Sequence, residues 1–123
     1  VYYAHPSGRI QSFLDRVFYS SGRVFTYKPA AAVAVARRGG SSASLDVLNK
    51  YFGICQMPTV GSTYWNMVYG ANAQDALLDE EGLQTMRNAA RNMAWMLKCF
   101  EAGKEKGIEL PKAERGARTN FIR

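Results

Sequence analysis

His5 is the one histidine of this sequence, and Cys55 and Cys99 are its only cysteines. With no CxxC pair and no second histidine, a Cys/His metal cluster has no ligand set to draw on. An iron–sulfur cluster needs about four thiolates, more than these residues supply. Both cysteines are expected as buried free thiols, which fits a reducing cytoplasm. No apolar run approaches the roughly 18 residues of a membrane span, so no membrane partner is expected. No charged-then-apolar leader opens the sequence, and no signal peptide is expected. The basic residues are not interleaved with aromatics in a stripe, so no nucleic-acid partner is expected either.

What is present is ordinary for a folded domain. The 123 residues are 47% hydrophobic and 21% charged, with a net charge of +6. That length suits one core. The division expected is a domain over residues 1–107 and a basic tail over 108–123, where from Leu110 on Lys112, Arg115, Arg118 and Arg123 outnumber Glu114. Val1-Tyr2-Tyr3 reads as the end of a strand already under way, as in a fragment or a split domain.

The periodicities predict alternating elements. Ile10, Phe13, Leu14, Val17 and Phe18 give Ser7 to Tyr19 one apolar helical face, with Ser7 as its cap. Ala30 to Ala36 is a continuous small-apolar run after Pro29, the pattern of a strand buried on both faces of a parallel sheet. Ser41 or Ser42 is expected to cap a second helix that stops at Gly53, with Leu45, Leu48 and Phe52 inward. Met57 to Tyr64 reads as a strand, Trp65 to Ala76 as a loop, and Asp79 to Lys106 as a long helix. Leu83, Met86, Ala90, Met93 and Leu97 would line its buried face. So few strands make a poor sheet, so part of the sheet is expected outside these residues.

Two stretches can carry chemistry. Arg37-Arg38-Gly39-Gly40-Ser41-Ser42 joins a strand to a helix, where glycines admit a ligand to the backbone and free N–H groups face an anion. An ordinary capped loop fits it too. Tyr2-Tyr3-Ala4-His5-Pro6-Ser7 is also a strand end and helix start. Its tyrosines can pack on a planar ring or simply close a strand. Both stretches should lie side by side at the carboxyl edge of the sheet.

From Val1 to Arg16 the string VYYAHPSGRIQSFLDR resembles a signature of the NADPH-dependent FMN reductase and iron–sulfur flavoprotein families. There a Ser-Pro-Val-Tyr ending precedes a helix that closes in an aliphatic residue and Asp-Arg, here Leu14-Asp15-Arg16. The resemblance implies an α/β fold of the flavodoxin-like, doubly wound parallel type. Ala30–Ser42, Met57–Trp65 and Asp79–Lys106 would be its fourth strand and second flavin loop, its fifth strand and its last helix. The family's phosphate-binding loop and about three strands would lie outside these residues.

The implied activity is hydride transfer from NAD(P)H to bound FMN and on to a small-molecule electron acceptor. Tyr2, Tyr3, Ala4, His5, Ser7, Arg38, Gly39, Gly40 and Ser41 would contact the flavin. Tyr64 and Trp65 would close the last strand and can cover the ring or pack in an interface. Gly40→Val would then weaken FMN binding with little loss of fold. A homodimer or tetramer is implied, with Trp65 to Ala76 (notably Met67, Val68 and Tyr69) and the tail in its contacts. A flavodoxin-type electron carrier and a non-catalytic oligomerisation fragment are the other classes the residues allow.

Overall fold

The computed structural model describes residues 1–121, and the tail's Ile122 and Arg123 lie outside the described residues. The chain runs through α1 (Gly8–Ser21), a 3-10 turn (Gly22–Phe25), β1 (Ala34–Ala36), α2 (Ser41–Ile54), β2 (Met67–Tyr69), α3 (Ala73–Ala76) and α4 (Glu80–Glu105). β1 and β2 pair in parallel, Ala34 opposite Met67, Val35 opposite Val68 and Ala36 opposite Tyr69. This mixed helix–strand arrangement with a small parallel sheet is compatible with a flavodoxin-like α/β fold.

The alternation of the strands decides what each helix covers. Ala32, Ala34 and Met67 face α2 and form the core with Leu45, against which Leu48 and Phe52 pack. α4 lies over the opposite face. There a Cβ on Gly82 would come within 3.1 Å of the Val68 Cα. The residues of α4 that become buried are Gly82, Thr85 and Ala89. The expected stripe is displaced by one position: Leu83, Met86 and Met93 are half-buried, and Ala90 and Leu97 are exposed. Small residues win the inward positions because helix and strand backbones approach so closely.

Several other expectations are corrected. The Ala30–Ala36 run is covered by α2 on one face, while on the other Val33 and Val35 stay 48% and 45% exposed among the described residues. Only its last three residues are strand, and Ala30 makes a lone parallel bridge to Thr59. Met57 to Tyr64 is not a strand, despite its Thr, Val and Tyr. Its later part is tied to α4 by side chains: Asn92 Nδ2 donates to the Gly61 carbonyl at 2.9 Å and Ser62 Oγ to the Thr85 carbonyl at 2.6 Å. The strand comes later, inside the segment expected as a loop, so Met67 and Val68 are buried in the chain's own core.

The helix ends differ in instructive ways. Ser7 caps α1, accepting from the Ile10 N–H at 3.4 Å. Gly40, not Ser41 or Ser42, is the N-cap of α2, at φ +92°. α2 passes through Gly53 to Ile54, and the left-handed residue after it is Gln56 at φ +58°. Cys99 is exposed and Cys55 half-buried, so neither is the fully buried thiol expected. The tail beyond Gly107 has no regular structure among the described residues, yet Tyr27 Oη donates to the Pro111 carbonyl at 3.1 Å.

Two joints hold the helices in place. Asp79 ties α4 to β2: one carboxylate oxygen accepts from the Gly82 N–H at 2.9 Å and the other from the Tyr69 N–H at 2.7 Å. Tyr51 ties α2 to α1, its hydroxyl donating to the Asp15 carboxylate at 2.5 Å beside the Phe18 ring. That hydrogen bond, followed by desolvation and the Asp15 charge, raises the Tyr51 phenol above its ordinary value of 10.0. A raised value means the folded state holds the proton more tightly, so this stabilisation is complete below about pH 10 and is lost as pH rises through the folded value. Tyr51→Phe should cost about 1 kcal/mol in urea unfolding at neutral pH, and the gap to the parent should close under alkaline conditions.

Candidate functional site

In a parallel sheet the strand ends and the helix starts that follow them share one edge. β1 delivers Arg37 to Gly40 to that edge. The N-terminal stretch arrives at the same place. The Val1 amine donates to the Val35 carbonyl at 2.8 Å, so Val1 lies beside β1. Tyr2 to His5 then reverses direction, with the Tyr2 N–H donating to the His5 carbonyl at 2.9 Å and Tyr3 at φ +60°. Val1 is thus paired beside β1, and Tyr2 to His5 form a tight turn directly after it.

The two loops abut at Gly40. A Cβ there would lie 2.8 Å from the Ala4 carbonyl oxygen and 2.7 Å from the Val1 side chain. Its left-handed φ and this proximity both demand glycine. Gly39 is different: a Cβ on it would meet nothing within 4 Å. The backbone of Gly39 therefore faces open space directly beside the contact.

Ser41 opens α2. The first intrahelical bond there is donated by Ser44 to the Gly40 carbonyl at 3.0 Å, so the N–H groups of Ser41, Ser42 and Ala43 precede it and have no helical acceptor. The helix dipole adds partial positive charge at the same point. Ser41 is 2% exposed, and its buried hydroxyl has no hydrogen-bond partner among the described residues. Ser44 Oγ, one turn further along α2, is buried without a partner in the same way.

The remaining expected residues divide. Tyr2, Tyr3, Ala4, His5 and Arg38 are exposed at the edge. The His5 ring is held locally, with Nδ1 2.8 Å from the Pro6 carbonyl and 3.5 Å from the Gln11 amide nitrogen. Ser7 spends its hydroxyl on the α1 cap. Tyr64 and Trp65 do not close the last strand, because β2 begins after them. Their rings touch each other at 5.0 Å and line a cavity of about 360 Å³ with Ser42, Tyr69, Asp79 and Gly82. The residue at the end of β2 is Tyr69, which the sequence placed in a loop. Ala4 owes its importance to backbone contact, for which residue type carries no signal, whereas Val1 meets Gly40 through its side chain.

This edge belongs to a parallel α/β arrangement, with two loops in contact at Gly40 and the first N–H groups of α2 beside them, where ligands of such folds bind. The family model described as NADPH-dependent FMN reductase matches residues 1–72 of the 123, and the chain belongs to that family. The cofactor of the family is FMN, with NAD(P)H as reductant. No curated protein and no solved structure is matched by the chain. The residues present are compatible with a bound flavin. They offer an open glycine backbone, unsatisfied helix N–H groups and an orphaned buried hydroxyl.

Among the described residues, no group of three or more His, Cys, Asp and Glu side chains is placed to hold a metal ion. No described helix is long and apolar enough to cross a membrane.

Proposed function

We propose that the Tyr2–His5 and Arg38–Ser41 loops hold the isoalloxazine ring of FMN in an NAD(P)H-dependent reductase that serves a small-molecule electron acceptor. The observation that carries this reading is the backbone contact of Gly40 with Ala4, which joins the two loops beside the open backbone of Gly39. When bound, FMN supplies the hydride acceptor and the electron store. The chain's own residues then bind and orient. The N–H groups at the start of α2 meet the polar edge of the ring, and their partial positive charge favours added electron density there. Tyr2 and Tyr3, exposed on the rim, offer planar surface to a stacked ring. His5, held by its own turn, positions that loop.

Exposed Tyr64, Trp65, Leu77 and Leu78 support assembly into a homodimer or tetramer. The uncovered Val33 and Val35 support a second reading, a fragment that needs strands from elsewhere. One sample separates the readings. The full chain is incubated with FMN, freed of excess flavin and mixed anaerobically with NADPH. Retained colour that bleaches rapidly is expected. Colour that NADPH leaves untouched would make the protein a carrier, and a colourless sample would make it a fragment. Light scattering on the same sample should exceed the monomer mass, and a coloured monomer would refute assembly.

A further inference from the structure

Three arginines flank the two-loop site: Arg9 in the first turn of α1, and Arg37 and Arg38 between β1 and α2. All three are exposed. None of their guanidinium groups has a hydrogen-bonding or ionic partner among the described residues. The sequence supplies no local counter-charge: no Asp or Glu occurs before Asp15, and none between Asp15 and Asp46. The carboxylates at this edge, Asp75, Asp79, Glu80 and Glu81, follow β2 on the opposite flank, where Asp79 is already hydrogen-bonded. The edge is therefore split, cationic at the two-loop site and anionic beyond β2. Unpaired arginines next to free helix N–H groups and the orphaned Ser41 hydroxyl suit a ligand with more than one anionic group.

We propose that Arg37 is the residue that selects the phosphate-bearing nicotinamide, binding the 2′-phosphate of NADPH, with Arg9 and Arg38 as flanking charge. This rests on the flavin-site reading above. Arg37 continues the outward register of Val33 and Val35, away from α2, so its side chain leaves the loop on the solvent side. Arg38 adjoins the glycines that would face the ring. A guanidinium fork matches a phosphate bidentately and keeps its charge at any working pH. NADH carries the same pyrophosphate but lacks the 2′-phosphate, so the two reductants isolate this contact.

The test uses Arg37→Ala and Arg37→Lys in the full chain. Flavin fluorescence quenching should show FMN retained equally by both. Arg37→Ala should raise the KM for NADPH about tenfold, the loss of one charge-assisted contact, and leave the KM for NADH and both kcat values unchanged. Arg37→Lys should restore part of the loss. Calorimetric titration with adenosine 2′,5′-bisphosphate and with AMP reads the same contact without turnover. The parent should prefer the bisphosphate, and Arg37→Ala should abolish the preference. Equal shifts for NADPH and NADH would assign Arg37 to the shared pyrophosphate and overturn the proposal, as would a bisphosphate preference that survives Arg37→Ala. If no variant retains FMN, the ring-site reading fails on that measurement, while the titration still decides Arg37.

Discussion

Gly40→Val should unfold the protein, or destabilise it by about 2–5 kcal/mol in urea, before any effect on flavin can be read. Two costs add. A side chain at φ +92° sits in the left-handed region, which disfavours a β-branched residue by about 1–2 kcal/mol or more. Its Cβ would also press on the Ala4 carbonyl and the Val1 side chain, at 2.8 and 2.7 Å, and a backbone carbonyl cannot swing aside as a flexible side chain can. This corrects the sequence-based expectation that the substitution leaves the fold intact. Gly39→Val is the variant for that purpose. Its Cβ meets nothing within 4 Å, so the urea midpoint should barely move while FMN binding weakens. A Gly40→Val protein that unfolds at the parent's midpoint would disprove the contact between the loops.

Asp79→Ala should be the most damaging loss of a polar side chain, at about 2–3 kcal/mol. It removes the N-cap of α4 and uncovers the Tyr69 N–H together, since one carboxylate serves both. Asp79→Asn keeps a carbonyl oxygen to accept one of the two bonds, so it should recover roughly half of the loss. Urea unfolding measures the size, and amide exchange at Tyr69 identifies the cause. Exchange there should quicken in Asp79→Ala while the middle of α2 stays protected. If Asp79→Ala unfolds like the parent, the carboxylate is a surface group and the joint is misassigned.

The helices were legible in the sequence because their signals are local. The 3.6-residue spacing from Ile10 to Phe18 and the acidic start of α4 place α1 and α4 to within a few residues. The strands were not. Thr59, Val60 and Tyr64 have the composition of a strand, but composition does not say where a neighbour offers a ladder. That neighbour, Ala34 to Ala36, lies opposite Met67 to Tyr69. The inward face of α4 was misjudged for a similar reason. Periodicity ranks residues by hydrophobicity, whereas close approach to Val68 selects Gly82. At the site, the Gly-Gly-Ser run disclosed a loop near a helix start. Which glycine touches the other loop and which stays open depends on how the chain meets itself, and no spacing encodes that.

The two strands of the sheet also differ in how they end sideways. The outward N–H groups of β2 are taken, Tyr69 by Asp79 and Met67 by the Trp65 carbonyl at 2.7 Å. Along β1, among the described residues, the Val1 amine meets the Val35 carbonyl, and Val33 and Val35 keep much of their surface exposed. The sheet can therefore grow on one side and not on the other. A sheet with both margins open would template a third copy and a fourth, which is how fibres begin.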